Sequence, residues 1–207
     1  MTALVDVSHR PSLRSAVDDA LSGALDPVLT EPTTDTGLLA SVSVVGESVS
    51  VVLQLSESVA SAAMAFVLAA DVADALYQVA DIGEVCVQVS DHPNAARINA
   101  GLSSTAFYLE ESDDDTERVD EVRAAFDRRA HDAAVRRCLD ALIRDGRIPI
   151  GQSDHVLLRD LPRDALRSTL MRRRANLGLS LCPNSRVLVD HTGAYLPDPG
   201  RRAPLAS

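Results

Sequence analysis

The sequence predicts an α+β fold: a small three-stranded mixed sheet with two helices on one face, followed by a helical C-terminal extension. Three patterns carry this expectation. Apolar residues recur every three or four positions before residue 25 and again after residue 58, as along one side of a helix. They alternate with period two over 38–45, 49–55 and 85–89, as in strands with one buried face. Beyond residue 115 the helical period returns over a long stretch.

The first helix is marked by Leu13, Ala16, Val17, Ala20, Leu21 and Ala24, and it ends at Asp26-Pro27, because a residue before proline is pushed out of the helical region. Residues 31–37 are polar and turn-rich, a loop. In the first strand Ala40, Val42 and Val44 share one face, with Ser41 and Ser43 on the other. Gly46-Glu47 fits a two-residue hairpin turn with glycine in its first central place. The second strand turns Val49, Val51, Leu53 and Leu55 to the core. Ser56 or Ser58 is placed to cap a second helix running to about Val79. Although its apolar stretch is long, Asp71 and Asp74 interrupt it, so it reads as a buried helix and not a membrane span. Asp81-Ile82-Gly83 leads into the third strand, where Val85, Val87 and Val89 face the core and Cys86 and Gln88 face away.

After Ser90 the character changes. The expected division is a sheet domain over 1–95, a polar and acidic linker over 96–115, a helical extension over 116–180 and a proline-rich tail over 181–207. The linker contains the run Glu110-Glu111-Ser112-Asp113-Asp114-Asp115. Val119, Val122, Ala125, Phe126, Ala130, Ala133, Ala134, Leu139 and Leu142 mark a long helix stopped by Gly146. A further helix spans 162–177 and ends at Gly178. Arg186-Val187-Leu188-Val189 is strand-like.

The chain has 207 residues, 46% of them hydrophobic, and a net charge of −10. All 20 of its Lys and Arg positions are Arg. With 3% aromatics and no Trp there is little for base stacking, and the average field repels nucleic acid, so neither nucleic acid nor membrane is an expected partner. No apolar run follows a basic start near the N-terminus, and three widely spaced cysteines make no CxxC, which together place the expected protein in the cytoplasm with reduced thiols.

The chemistry-bearing residues are few. Asp26 and Asp35 sit at turns, where a capping role competes with a polar site. His92 follows a strand end in Asp91-His92-Pro93. Asp127, His131 and Cys138 lie along one helix stripe, where the bland reading is an Asp–His pair beside a buried thiol and the sharper one is a metal site. Arg172-Arg173-Arg174 is the main basic concentration, read as a solvated face or as pairing with the acidic segment or, more sharply, as a surface docking a partner's carboxylates. Phosphate loops, nucleophile elbows, HExxH motifs and dinucleotide fingerprints are absent from the sequence.

Residues 12–90 resemble the iron–sulfur cluster assembly domain family. Its members share an Asp-Pro-Glu at the end of a first helix, an Asp-Leu-Gly before the first strand and a Cys-Pro at the second helix. Here these motifs read Asp26-Pro27-Val28 and Asp35-Thr36-Gly37, and the cysteine position falls near Ala60 or Ser61. The remainder is similar to a longer actinobacterial branch of that family found near soluble di-iron hydrocarbon monooxygenases. That likeness is carried by Asp91-His92, by Ile98-Asn99-Ala100-Gly101-Leu102, by Arg128-Arg129-Ala130-His131, by Arg172 to Leu179 and by Arg186 to Asp190. The resemblance implies iron or an iron–sulfur cluster as the group handled. Yet the thiolate that a helix start would favour is replaced by a side chain that is a poor metal ligand.

The expected function is therefore a non-catalytic accessory protein assisting the folding or metal loading of a metalloenzyme, with a client subunit or a chaperonin as partner and a homodimer as one assembly. Asp26, Asp35, Ser61, His92, Arg172, Arg173 and Arg174 form the candidate polar or partner-binding set; no residue is assigned a catalytic, cofactor or metal-ligand role. Two alternatives stand beside it. One is a cluster carrier using Cys86, Cys138, Cys182 or His92, and the other is a small acid–base enzyme working through Asp35 and His92.

Overall fold

The computed structural model describes residues 12–24, 31–55, 59, 61–104 and 118–197. Their order is α1 (Leu13–Ser22), β1 (Leu39–Val45), β2 (Ser48–Gln54), α2 (Ala62–Tyr77), β3 (Glu84–Ser90), α3 (Ala95–Ser103), α4 (Val119–Arg144) and α5 (Ala165–Asn176). The three strands form one mixed sheet in the order β1-β2-β3, the central β2 antiparallel to β1 and parallel to β3. This is the predicted α+β sheet with a helical C-terminal part.

The alternation does what period two requires. Val49, Val51, Leu53, Val87 and Val89 are buried, while Ser48, Ser50, Gln54, Glu84, Cys86 and Gln88 are exposed on the opposite face. At Ala40 the expectation fails. The register shifts between Leu39 and Ser41, a bulge that turns Ala40 outward and lets Leu38 reach the core instead. The hairpin turn falls at Gly46-Glu47, with Gly46 at φ 61° as that turn demands.

Helix α2 is apolar nearly all round because it is enclosed on both sides. Phe66, Leu68, Val72 and Leu76 meet the sheet core, and Ala63 and Val67 meet Val122, Phe126, Ala130 and Ala133 of α4. Alanines give α2 the slim profile that lets α4 approach. The C-terminal helices consequently pack on the back of α2 and leave the polar sheet face open. No helix among the described residues is long and apolar enough to cross a membrane.

Several boundaries differ from expectation. The cap of α2 is Ser61, whose hydroxyl accepts from the Met64 amide at 3.0 Å; Ser56 and Ser58 lie outside the described residues. The start of the expected 96–115 linker belongs to α3, which buries Ile98, Gly101 and Leu102. Polar neighbours hide this short stripe in the sequence. One of them, Asn99, accepts from the Val89 N–H at 2.8 Å and donates to the Val89 carbonyl at 3.1 Å, sealing the outer edge of β3. The acidic run 110–115 lies outside the described residues. Within the expected tail, Val187 and Leu188 are buried in one cluster with Leu139, Leu158 and Leu170, so its first part completes the C-terminal core.

Candidate functional site

Three consecutive arginines on a helix point about 100° apart, and α5 is embedded deeply enough that none of them is a free surface cation. The helix starts at Asp164, whose carboxylate accepts from the Arg167 amide at 3.0 Å. Two turns later, Arg173 is 0% exposed and Arg174 is 2% exposed. The solvated face expected for 172–174 is thus an interior feature.

Arg173 and Arg172 converge on Asp71 of α2. Arg173 holds both carboxylate oxygens, Nη1 on Oδ1 and Nη2 on Oδ2 at 2.7 Å, and Arg172 Nη1 lies 2.6 Å from Oδ1. Both guanidiniums also donate to the Gly23 carbonyl at the end of α1, at 3.0 Å from Arg173 and 3.3 Å from Arg172. One carboxylate and one helix-end carbonyl therefore tie α5 to α1 and α2. The face of Arg173 lies 5.3 Å from the centre of the Phe126 ring on α4, a cation–π contact that brings the fourth helix into the same cluster. Arg174 turns the other way and donates to the carbonyls of Ser180 at 2.9 Å and Arg186 at 3.1 Å, fastening the segment after α5.

The electrostatics follow from this packing. Burial would push the Asp71 carboxyl up, but the charges and hydrogen bonds of Arg173 and Arg172 outweigh it and hold the group below its ordinary value. Half-buried Asp74 and Asp127 stand nearby and are raised, in both cases first by burial, with the Asp71 charge adding to it. Asn176 donates to Asp127 at 3.4 Å. Gly23 is needed at the contact, since a Cβ there would lie 2.2 Å from the Thr169 hydroxyl of α5. Beside the cluster a cleft of about 670 Å³ runs between Ala16 and Ala20 of α1, Ala75 of α2, and Ser168, Thr169 and Arg172 of α5.

The other predicted residues are not gathered here. Asp26 lies outside the described residues. Asp35 is exposed in a turn and accepts from the Thr34 hydroxyl at 3.0 Å. His92 is nearly buried at the end of β3, its Nδ1 accepting from the Asn94 amide at 3.0 Å. His131 is fully buried, with Nδ1 3.4 Å from Asp132, and burial lowers its pKa. Cys138 is buried against the Leu166 carbonyl, and burial pushes its thiol up to about 12, whereas Cys86 and Cys182 are exposed. Among the described residues no group of three His, Cys, Asp or Glu side chains is placed to hold a metal ion. Asp127 joins the arginine cluster instead of the His131–Cys138 stripe.

Comparison of the chain with protein-family models, curated proteins and solved structures returns no match. The arrangement is accordingly read on its own chemistry. A carboxylate enclosed by two guanidiniums and held ionised is a clasp between helices, and its buried position keeps it from meeting a substrate. The sequence signal for it was Asp71 itself, a charge in the middle of an apolar helix that requires a buried cation.

Proposed function

We propose that the chain is a non-catalytic accessory protein that binds a metalloenzyme client and assists its folding or iron loading, with a soluble di-iron monooxygenase subunit as the client suggested by the sequence resemblance. The observation that supports this reading is the Asp71–Arg172–Arg173 clasp, which joins the helical extension to the sheet domain and leaves the polar sheet face uncovered for a partner. The position that the resemblance assigns to a reactive thiol is at the helix start, where the Ser61 hydroxyl is engaged by the Met64 amide. A cluster-carrying role would draw on Cys86, Cys138, Cys182 or His92; of these, the Cys138 thiol is pushed up to about 12 by burial inside the C-terminal core, and Cys86 and Cys182 are exposed.

The test is co-production of a di-iron subunit with and without this chain, reading soluble yield and iron per subunit. Higher yield or iron content in its presence is the expected result, together with a colourless purified accessory protein. Equal yield and equal iron in both cases would overturn the proposal.

A further inference from the structure

Helix α4 encloses one imidazole, His131, in a place that suits only its neutral form. Nδ1 stands 3.4 Å from the half-exposed Asp132 carboxylate, and Nε2 is buried with no hydrogen-bond partner among the described residues. A carboxylate only accepts, so Nδ1 is the donor and Nε2 of the neutral ring carries a lone pair. In the protonated ring Nε2 would carry an N–H that nothing accepts, a costly arrangement away from water.

The surroundings decide which way such a ring can find water. On one side Ala130 and Ala133 share an apolar cluster with Ala63 and Val67 of α2. On the other, α4 and α5 run antiparallel, with Asp127 bonded to Asn176 and the Cys138 thiol bonded to the Leu166 carbonyl; His131 falls between these two contacts. Arg174 of α5 and Asp190 of the segment after it act on the ring from outside α4. Arg174 is also the strap of that segment, through its bonds to the Ser180 and Arg186 carbonyls. The other acids of the packed helices are engaged elsewhere. Asp71 of α2 is taken by Arg172 and Arg173, Asp74 lies in the field of Asp71, Arg123 and Arg172, and Asp127 accepts from Asn176. Burial outweighs the pull of Asp132 and keeps the ring uncharged. Between α5 and the strapped segment stands Gly178, at φ 66° with open space where a Cβ would be, a natural turning point.

We propose that His131 is an acid-operated catch on the segment 180–190. Once the ring takes a proton, the new Nε2 N–H and the Arg174 guanidinium cannot both stay enclosed, and the segment swings out about Gly178 while α2 and the sheet keep their packing. The α2 side is closed by the apolar cluster and by the Asp71 clasp, whereas the segment is fastened to Arg174 by two carbonyl hydrogen bonds. Its release uncovers the apolar wall of Leu139 and Leu170 that Val187 and Leu188 now occupy.

Native-state hydrogen exchange of the full chain at about pH 7 and about pH 5.5, corrected for the intrinsic rate, reads this opening. The reporters are the Leu158 and Val187 amides, which donate to the Ser185 and Val156 carbonyls at 2.9 Å and lose those bonds when the segment leaves. A ring that titrates near 6.5 when open and stays neutral when closed raises the opening equilibrium up to about eightfold over this pH step. Leu158 and Val187 should accelerate several-fold, exchange faster at both pH values than Val51 and Leu53 of the central strand, and lose the acid response in His131→Leu and His131→Gln. Reporters as protected as Val51 and Leu53 would overturn the proposal, as would reporters that ignore acid or that respond equally in the two variants. The first two of these outcomes are read on the unaltered chain, so they decide the matter without either variant having to fold.

Discussion

Replacing Asp71 by Asn removes the charge on which two buried or nearly buried guanidiniums converge. Arg173 would keep its bond to the Gly23 carbonyl at 3.0 Å and its contact with the Phe126 ring at 5.3 Å, but neither carries a negative charge. Breaking a buried ion pair from one side costs about 3–5 kcal/mol. Because Asn keeps one acceptor oxygen, the lower end applies, about 3 kcal/mol. For a chain of this length each kcal/mol moves the melting temperature by about 2–4 °C, so Asp71→Asn should melt roughly 6–12 °C below the wild type. Differential scanning calorimetry measures this directly. The cost comes from the stranded cation, so Asp71→Leu combined with Arg173→Met should melt above Asp71→Leu alone, because an apolar pair needs no compensation. Linkage supplies a further check. A carboxyl with a depressed folded-state pKa stabilises the fold above its unfolded value and loses that contribution as pH falls through the folded value, so Asp71→Asn should flatten the acid limb of the stability curve. An Asp71→Asn protein melting within about 2 °C of wild type would refute the clasp as a source of stability.

Three other outcomes are expected. Gly23→Ala places a Cβ 2.2 Å from the Thr169 hydroxyl and should lower stability by about 1–3 kcal/mol; Thr169→Ala in the same chain should recover part of the loss in chemical denaturation. Ser61→Ala removes the hydroxyl that caps α2 and should cost about 1 kcal/mol, while Ser61→Gly should cost only a few tenths, both read from denaturation midpoints. Burial lowers the His131 pKa, so the unfolded chain takes up a proton before the folded one as pH falls below about 6.5. The melting temperature should therefore drop on acidification through that region, and this component should vanish in His131→Leu.

Strands and helix faces were legible wherever one residue pattern met one environment. Val49, Val51 and Leu53 alternate because a single sheet face is covered, and the sequence shows that alternation directly. Ala40 broke the pattern for a reason that periodicity does not encode, a bulge that changes the phase of β1 near its start. Helix α3 was obscured because its polar Asn99 acts on the backbone of β3 and not on solvent, so a residue that reads as loop is a structural contact.

The arginine cluster was misread for a related reason. A stripe argument assumes that a helix has one buried side, and successive residues 172, 173 and 174 then seem bound for water. Helix α5 instead touches α1 and α2 on one flank, α4 on another and the segment 180–186 on a third, so each arginine finds an internal oxygen. The informative residue was the acid and not the bases. A carboxylate at the centre of Ala62–Tyr77, with twelve apolar neighbours in that helix buried alongside it, has to be neutralised from another element, and the chain holds its densest cationic run at 172–174. One charge too many in an apolar helix and three together in a later one are the two sequence anomalies that meet where α5 packs on α2. The arginines that read as a docking patch are thereby the joint that makes the extension part of the fold.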